Sequence, residues 1–520
     1  MNSGEPMYFL RECPDKPMDG KKGQDIIHRQ SDNCIVSEKL RNGSGEKAVA
    51  TIHWGARGTS AGHRTGQQMR TKLAPLTRRA RRDSKCEFVS LAHILTKEFL
   101  LGCFRELKRN KATGIDGVTY EEYEVNLDGN LEDLIGRLKE KRYRPLPVKR
   151  TYIEKADGSE RGLGIPTLED KIVQMGIKKI LEAIYEVDFM DVSYGFRPGR
   201  SCHDALDEVY RVVMTKPVNW VVDMDIEKFF DTINHDWLLK CLKVRIKDSS
   251  LLRLVVRYLK AGVMDEGTYY RTDVGTPQGG VLSPILANIY LHYILDLWFE
   301  RRIRKNLKGY AKLVRFADDY IVCFQNQLEA KEFGNELRKR YRKFGLKVNE
   351  SKSRIIEFGR YAWKRAKSTG KKVAVFDFLV FTYYCGESGK GNFLLGRKTS
   401  GKRLRRKLAE INIWMKRVRS TVKLEEWWKV LRQKLIGHNR YYGISGNIHR
   451  LGKFNKRVSK LAFKWINRRS QKKSYTLKQY FQFVKYNPLP KPKIYHSYPD
   501  LGFGKYRRRA GCGKSASPVL

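Results

Sequence analysis

The spacing of hydrophobic residues divides the chain into three stretches with different predicted structures. Residues 1–85 are polar and follow neither the helical nor the strand period, which predicts a flexible basic extension. Apolar residues then recur at helical spacing from Leu91 to Leu100, so regular structure is expected to begin near Ser90.

Short apolar runs alternate with amphipathic helices in the middle of the chain. Residues 220–224 form one predicted strand, and residues 313–324 form two more around an Ala-Asp-Asp turn. Residues 238–242 and 251–259 have the spacing of helices. This alternation predicts an α+β fold.

The C-terminal part of the chain is predicted to be helical and basic. Three successive apolar stripes predict three amphipathic helices, at residues 404–418, 424–435 and 454–465. Arg403, Arg405 and Arg406 lie largely off the first stripe, so one face can pack in a core while the other binds phosphate. The alternative is an ordinary three-helix bundle whose basic face contacts only solvent.

The charge balance points to a polyanionic partner. The chain carries 104 Lys and Arg residues against 56 Asp and Glu residues, a net charge of +48. Residues 401–520 contribute 32 basic and 4 acidic residues, a net +28. Long nucleic acid is the first candidate, because neutralising its phosphates releases condensed counterions. The 41% hydrophobic content excludes a wholly disordered chain.

The sequence predicts neither a membrane-spanning nor a secreted protein. The most apolar long stretch, residues 281–299, is interrupted by four polar or helix-breaking residues, Pro284, Asn288, His292 and Asp296. Residues 1–30 lack the basic segment and apolar run of a secretory signal. We therefore expect a cytoplasmic protein that makes no membrane contact.

Two acidic clusters lie among strong strand formers, WVVDMDIEKFFD at 220–231 and LVRFADDYIVCF at 313–324. Burying an unpaired carboxylate is costly, so such positions need compensation. Asp318 and Asp319 therefore predict a tight turn that presents carboxylates to a divalent cation. Two metal ions held by three carboxylates would suit phosphoryl transfer, although an Asp-Asp turn alone is weak support for catalysis.

Six ordered motifs resemble those of one known family. The FADD turn with its flanking strands, the spacing from Asp225 to Phe230, and GTPQGGVLSPILANIYL at 275–291 are similar to the palm of reverse transcriptases. Three further motifs resemble, more narrowly, the reverse transcriptases encoded by group II introns: SYGFRPGRSCHDAL at 193–206, ERGLGIPTLEDKIVQ at 160–174 and KATGIDGVTYEEY at 111–123. The resemblance covers about residues 86–500.

The resemblance implies a right-hand polymerase, in which fingers and palm are followed by an all-α thumb or maturase domain. After the extension at residues 1–85, it divides the chain into an N-terminal and fingers region at 86–220, a palm at 221–392, a helical thumb or maturase domain at 393–480, and a basic tail at 481–520 that could contact DNA.

The resemblance also implies the catalytic residues. Asp225, Asp318 and Asp319 would be the catalytic carboxylates. Together with the backbone carbonyl of Ile226 they would hold two Mg²⁺ ions, with Mn²⁺ able to substitute. Phe230 would exclude ribonucleotides by colliding with their 2′-hydroxyl group; the alternative is that Phe230 is only a core residue.

Further residues are assigned to substrate and nucleic acid on the same basis. The residues that would bind the incoming dNTP, with Phe230, are Lys155, Arg161, Gln278 and Lys352. The residues that would contact template or primer are Arg197, Pro277 and Gly279. For the loop at 277–279, the alternative is a structural turn.

The segment GHNRYYGISGN at 437–447 resembles part of the thumb or maturase domain, which in that family binds intron RNA. Its rings and polar groups could stack on bases and form hydrogen bonds. With the basic helix face, the RNA-binding candidates are Arg403, Arg405, Arg406, Arg440, Tyr441 and Tyr442. A rigid connection between two helices is the competing interpretation.

Three positions depart from the family pattern. FADD replaces the commoner tyrosine-containing motif, and Val380 stands where the primer-grip motif usually has glycine. Glu160 lies beside Arg161, which would weaken triphosphate binding. Some family members end in a His- and Cys-containing endonuclease domain. After Tyr498 this sequence has Cys512 and no histidine, so DNA cutting is not expected.

The leading hypothesis is an RNA-directed DNA polymerase encoded by a group II intron, which also acts as a maturase in splicing and mobility. Its partners would be intron and template RNA, target and primer DNA, and dNTPs; the resemblance leaves a homodimer open. One alternative is a related polymerase without an intron, used in DNA repair or phage defence. Another is an RNA-binding splicing cofactor with an inactive polymerase.

Overall fold

The computed structural model describes residues 60–154, 160–469, 474–499 and 501. Lys155 and the basic residues after position 501 lie outside this range. The helices of the described residues are α1 Ser60–Arg82, α2 Lys97–Glu106, α3 Tyr120–Val125, α4 Leu127–Lys139, α5 Leu168–Tyr185, α6 Cys202–Thr215, α7 Phe229–Thr232, α8 His235–Lys243, α9 Ser249–Leu259, α10 Ser283–Leu291, α11 Arg304–Asn306, α12 Gln327–Lys343, α13 Arg360–Thr369, α14 Gly401–Val418, α15 Leu424–Tyr442, α16 Ile448–Ile466 and α17 Leu477–Tyr486. The strands are β1 Val148–Glu154, β2 Glu160–Ile165, β3 Trp220–Met224, β4 Val263–Asp265, β5 Thr268–Tyr270, β6 Ala311–Phe316, β7 Asp319–Phe324, β8 Arg354–Glu357, β9 Phe376–Phe378, β10 Phe381–Glu387 and β11 Phe393–Thr399.

The strands form three sheets, which confirms the predicted α+β class. Two sheets have four strands, in the orders β2-β1-β4-β5 and β6-β7-β3-β8, and the third has the order β11-β10-β9. All pairings are antiparallel except that of β1 with β4. We call the β6-β7-β3-β8 sheet the central sheet, because the two acidic clusters lie on it.

The central sheet is buried on both faces. Val222 and Val322 belong to one large hydrophobic core, which also contains α5, α10 and α12. Val221 and Ile321 point to the other face and belong to a second core with α6 and the β9-β10-β11 sheet. Both strands are therefore apolar along most of their length, and their carboxylates lie near strand ends.

The C-terminal helices follow the predicted pattern. Leu404, Ile411 and Met415 line the buried side of α14, and they share a third hydrophobic core with Trp427 of α15 and Phe454 of α16. The three predicted amphipathic helices are thus confirmed, since the apolar stripe of each one faces the others.

Regular structure begins and ends further out than predicted. Residues 60–82 form α1 where a flexible extension was expected. Leu73, Leu76 and Ala80 recur at helical spacing and contact the first core, and three such positions suffice to hold a helix in an otherwise polar stretch. Likewise α17 runs past residue 481, where the tail was expected to begin. None of the described helices combines the length and apolarity that crossing a membrane requires.

A buried carboxylate cluster as the candidate active site

The Ala-Asp-Asp motif forms the tight turn that its sequence predicts. Phe316 pairs with Asp319, so Ala317 and Asp318 alone connect β6 to β7. Ala317 has a φ of +58°, in the left-handed region that an alanine rarely adopts. The loop between α5 and α6 packs tightly against this turn. A Cβ at Gly195 of that loop would lie 2.3 Å from the Ala317 nitrogen, so glycine is needed at position 195.

The register of the central sheet brings Asp225 to this turn. Met224 pairs with Tyr320, and extending that ladder by one residue sets Asp225 opposite Asp319. Side chains alternate along a strand, so Asp223, Asp225 and Asp319 share the face that carries Val221 and Ile321. The two acidic clusters, which are almost a hundred residues apart in sequence, therefore meet at one edge of the sheet.

The electrostatics of the cluster disfavour its negative charges. Asp318 is 7% exposed, and burial together with the nearby charge of Asp225 raises the pKa of Asp318 to about 6. Arg161 and Arg315 oppose that rise. Burial and the charges of Asp223 and Asp318 raise the pKa of Asp319 well above its ordinary value. A bound cation would relieve this repulsion.

Asp225 lies in a different environment from the turn. Its Oδ2 is 3.8 Å from Nζ of Lys352 and accepts a hydrogen bond of 3.4 Å from Nδ2 of Asn349. The backbone of Asn349 also donates to the carbonyl of Asp225, at 2.8 Å. Lys352, predicted to face the nucleotide phosphates, therefore lies at the carboxylate cluster.

Asp223 is a fourth carboxylate beside the cluster. Arg354 donates to its Oδ2 at 3.3 Å, yet burial still raises the pKa of Asp223 to about 6. The charges of Asp225 and Asp377 act in the same direction as burial. Asp223 thus adds negative potential to the site while its own charge is partly balanced.

The donor set suits a hard divalent cation in its chemistry. The backbone bonds from Asn349 to Asp225 and from Glu227 to Lys347 flank the bridge between Ile226 and Val348, so the Ile226 carbonyl points away from Val348. Carboxylate and carbonyl oxygens are the ligands that Mg²⁺ accepts. Among the described residues, however, no three His, Cys, Asp or Glu side chains already stand close enough together to hold a metal ion.

The predicted dNTP residues Arg161 and Gln278 contact each other. Arg161 of β2 donates from Nε to Oε1 of Gln278 at 2.6 Å, and the carbonyl of Gln278 accepts from the Gly164 nitrogen at 2.6 Å. Gly279 has a φ of +108°, and a Cβ there would lie 2.8 Å from the Gly164 oxygen. The loop that carries Pro277 is thus hydrogen-bonded to β2. The positive charge of Arg161 also opposes the rise in the pKa of Asp318.

Phe230 lies on α7, next to that loop. Its side chain is 5% exposed and packs edge-to-face on Phe229, and its carbonyl accepts from the Thr276 nitrogen at 2.7 Å. The ring belongs to the first hydrophobic core. This placement agrees with the core interpretation, and it also puts the residue beside the loop proposed to contact the nucleotide.

Arg197 is committed to the protein interior rather than presented to a template. Its side chain is 4% exposed and binds Glu186 through Nε and Nη2, with Nη2 2.7 Å from the carboxylate. It also donates to the carbonyls of Met190 and Ser193, at 2.7 and 2.8 Å. The template-binding interpretation of Arg197 is not supported, because these internal contacts use its donors.

The segment 437–447 packs inside the protein, which favours the rigid-connection interpretation. Tyr442 is 5% exposed and contacts Phe381 of β10, while His438 stacks on Phe454 with ring centroids 3.6 Å apart. Tyr441 is half-buried between His203 and Phe381. Aromatic and imidazole rings serve a core as well as they serve a base stack, so this part of the RNA-binding prediction does not hold for Tyr442.

The basic residues of the same region divide by exposure. Arg405 and Arg440 are exposed, and Arg403 is half-buried. Arg406 is half-buried and donates from Nε to Glu410 at 2.8 Å. Arg405 and Arg440 therefore remain the most accessible of the predicted RNA-binding residues.

Sequence reasoning missed the contact between a second hairpin and the cluster. Leu379 and Val380 alone connect β9 to β10, with φ values of +47° and +65°. The Leu379 backbone lies close enough to Asp319 to oppose the rise in the pKa of that carboxyl. The departure at Val380 was noticed, but nothing in the sequence shows that this turn reaches the carboxylates.

Sequence reasoning also missed Arg315. It is buried behind the turn and bound to Asp296. The sequence did contain a signal for this pair. Arg315 is the one charged residue in LVRF and Asp296 the one charged residue in YILDLWF, and charges within apolar runs are seldom buried unless they are paired.

Parts of the chain are similar to known proteins. Residues 153–383 match the family model described as reverse transcriptase (RNA-dependent DNA polymerase). The chain is 34% identical over 281 residues to the group II intron-encoded protein LtrA of Lactococcus lactis subsp. cremoris, covering 52% of this chain and 47% of that protein. It is 38% identical over 201 residues to protein YkfC of Escherichia coli (strain K12), covering 37% of this chain and 52% of that protein.

The aligned parts span about half the length of these curated relatives. A telomerase structure from Candida albicans superposes with a TM-score of 0.38 at 13% identity, covering 68% of this chain and 64% of that chain. That likeness is too weak to support an argument.

Proposed function

We propose that the chain belongs to the family of group II intron-encoded reverse transcriptases and maturases, and that it is an RNA-directed DNA polymerase that copies RNA into DNA. The observation that carries the proposal is the meeting of Asp225, Asp318 and Asp319 at one edge of the central sheet. Carboxylates that repel one another inside a protein are costly unless their charge is used.

In this proposal the central sheet is the palm of a right-hand polymerase. The region at 86–220, which contains β1 and β2, would form the fingers, and the helices at 393–480 would form the thumb or maturase domain. The contact between Arg161 and Gln278 supports this arrangement, because it joins the β1-β2 hairpin to the loop beside the proposed catalytic centre. The tail at 481–520 would contact DNA.

The carboxylates would act through bound divalent metal, with Mg²⁺ as the proposed ion and Mn²⁺ able to substitute. Two such ions would activate the attacking 3′-hydroxyl group and neutralise charge on the leaving pyrophosphate. Asp225, Asp318, Asp319 and the Ile226 carbonyl would hold them. The hydrogen bonds of Asn349 to the side chain and backbone of Asp225 orient that carboxylate before substrate arrives.

The cations around the cluster would bind the triphosphate. Arg161 lies within electrostatic reach of Asp318, and Lys352 lies 3.8 Å from Asp225, so both cations lie beside the carboxylates that would hold the metal. Lys352 would bind the phosphates of the incoming nucleotide. Phe230 would close the site beneath the sugar.

We propose that the basic face of the C-terminal helices binds intron RNA. The exposed guanidinium groups of Arg405 and Arg440 and the net +28 of residues 401–520 support this role. If six or more phosphates are contacted, affinity should fall by ~10³-fold or more between 50 and 200 mM salt. A nearly flat salt response would leave the face as ordinary solvated surface.

Incorporation of labelled dTTP on poly(rA) primed with oligo(dT) tests the polymerase. We expect incorporation that requires divalent metal, stops with EDTA and returns with Mg²⁺ or Mn²⁺. No incorporation by folded wild-type protein at any metal concentration would refute the polymerase proposal, and intron binding without incorporation would favour the splicing-cofactor alternative.

The relatives named as intron proteins favour an intron-encoded polymerase over one without an intron. The genomic neighbourhood tests this choice. Domain V of a group II intron, a short RNA hairpin, should lie just downstream of the reading frame. Its absence there would support the repair or defence alternative.

A further inference from the structure

Arg315 is fully buried three residues before Asp318, and every one of its N–H groups is used. Arginine has five such donors. They go to Oδ1 and Oδ2 of Asp296 at 2.7 and 2.5 Å, to Oδ1 of Asn288 at 3.0 Å, to the Ala317 carbonyl at 2.8 Å and to Oγ of Ser193 at 2.8 Å. Both Arg315 and Asp296 are 0% exposed.

These bonds tie the catalytic turn to two other parts of the chain, a continuous helical stretch and a loop. Asn288 lies on α10, Asp296 ends the π-helical stretch His292–Asp296, and Ser193 lies in the loop after α5. Asn288 in turn donates to the Gly195 carbonyl at 2.8 Å, and Gly195 is the residue that packs on Ala317. The guanidinium is therefore the common centre of a frame around the turn.

The bond to Ala317 is the one that bears on the site. Ala317 is held in the left-handed region, and its carbonyl is part of the peptide group that joins it to Asp318. A non-glycine residue keeps such a conformation only when its surroundings impose it. The Nη1 donor of Arg315 supplies that constraint from inside the protein.

Stability alone does not account for this arrangement. A buried ion pair must repay the desolvation of both charges, and apolar replacements of similar volume are often as stable. What an apolar pair cannot supply is a planar fork of donors with fixed directions. The pair is therefore better explained by the geometry it imposes.

We propose that Arg315 is a positioning residue, which, through Ala317, Asp296, Asn288 and Ser193, holds the carboxylates of Asp318 and Asp319 where a divalent cation binds. The activity readout of this inference rests on the proposed polymerase function, whereas its metal-binding readout does not.

The test is the double variant Arg315→Met with Asp296→Leu, which removes both charges together and leaves no charge unpaired. We expect a folded protein that melts below the wild type, because acceptors on Ala317, Asn288 and Ser193 lose their donor. Its kcat for single-dNTP incorporation should fall by about 10- to 100-fold, with KM for dNTP changed far less. Mn²⁺ binding, followed by electron paramagnetic resonance without nucleic acid, should weaken by about tenfold. Arg315→Lys, which keeps the charge and loses the fork, should show the same pattern if the double variant does not fold.

A matched control removes another buried pair, Arg245 with Asp188, whose charges lie 3.4 Å apart away from the turn. Arg245→Met with Asp188→Leu should leave kcat and Mn²⁺ affinity unchanged in the folded protein. Unchanged kcat and Mn²⁺ affinity in a folded Arg315 variant would overturn the inference, as would equal losses in the control. If the wild type shows no polymerase activity, weakened Mn²⁺ binding in the Arg315 variants alone would still support the positioning role.

Discussion

The turn at 317–319 and the segment at 437–447 are both packed inside the protein, but they differ in the charge they bury. The turn buries carboxylates that repel one another, and the pKa of Asp318 rises to about 6 as a result. The segment buries neutral rings: burial lowers the pKa of His438 to about 3, and its imidazole stacks on Phe454. Burial therefore opposes the charges of the turn, whereas it favours the rings of the segment.

This difference is a guide to function in a strongly basic chain. A neutral ring in a core gains from burial, so packing explains it fully. Like charges in a core lose from burial, so packing cannot explain them. Substitutions in the turn should therefore reduce activity without reducing stability. Substitutions of the buried rings in the segment should reduce stability.

The largest expected effect is at the turn. Asp318→Asn and Asp319→Asn keep the shape of the side chain and remove its charge, so incorporation of dNTP should fall by about 10³-fold or more. In metal-free buffer each variant should melt roughly 1–3 °C higher than the wild type, because one of two repelling charges is gone. Calorimetry and primer extension on the same samples measure both effects.

Metal addition provides the control for this prediction. Mg²⁺ should raise the melting temperature of the wild type and should raise that of the variants less. Intron RNA binding should be unaffected, since the basic helices are untouched. Variants that melt lower than the wild type in metal-free buffer would show that the carboxylates stabilise the fold, and the contrast with 437–447 would fail.

The segment should respond in the opposite way. Tyr442→Ala removes a ring that contacts Phe381 and His438, so the free energy of unfolding should fall by ~3–5 kcal/mol. Arg440→Ala, on the exposed side of the same helix, should change it by less than about 0.5 kcal/mol. Urea titration measures both.

RNA binding then separates the two residues. Arg440→Ala should weaken intron RNA binding and reduce its salt dependence by about one phosphate contact. A Tyr442→Ala protein of unchanged stability that fails to bind RNA would restore the stacking interpretation of Tyr442.

The tight Asp-Asp turn was predicted from the sequence, and the structure confirms that turn, whereas the sequence left the role of the aromatic segment open. Asp318 and Asp319 have few reasons to lie between apolar strands, so their presence there is informative. Tyr442 and His438 are equally at home in a core and on a base, and the segment's motif does not distinguish the two. The apolar stripes of α14 to α16 were predicted because helical periodicity is local.

Contacts between distant parts of the chain could not be predicted from the sequence. The fork from Arg315 to Asp296, the internal bonds of Arg197 and the approach of Leu379 to Asp319 all depend on tertiary packing. An arginine in RPGR is typical of a surface, and only the fold shows that Glu186 and two carbonyls enclose it. The helix at 60–82 was missed because three apolar positions are diluted among basic ones.

Phe230 lies between the two kinds of region, since its ring is in the core and borders the site. Phe230→Val should raise the use of rNTP relative to dNTP by roughly tenfold, about 1.4 kcal/mol of lost discrimination. The physical reason is the space that the smaller side chain opens for a 2′-hydroxyl group. Single-nucleotide incorporation kinetics with both sugars measures the ratio.

Phe229 is the matched control, because it is adjacent, equally buried and in contact with Phe230. Phe229→Val should lower stability and slow both nucleotide types together, without changing their ratio. If Phe230→Val behaves in the same way, Phe230 belongs with Tyr442 as a packing residue.

The smallest expected effect is at Val380, where the second hairpin reaches the turn. A β-branched residue at a φ of +65° is strained, and glycine is not. Val380→Ala keeps the positive φ and loses two methyl groups, whereas Val380→Gly loses the side chain and the strain together. We therefore expect Val380→Gly to be more stable than Val380→Ala by about 1 kcal/mol, the reverse of the usual order.

Val322, which is buried in the first hydrophobic core, gives the comparison. It is buried in the middle of β7 with extended backbone, so there the alanine variant should be the more stable one, by roughly 0.5–1 kcal/mol. Denaturant titration of the four variants resolves the two orders. The same order at both positions would mean that the left-handed turn at 379–380 is not strained, and the Leu379 backbone would then contact Asp319 at no conformational cost. The reversed order would show that the protein holds an unfavourable turn against the carboxylates, as it does at Ala317.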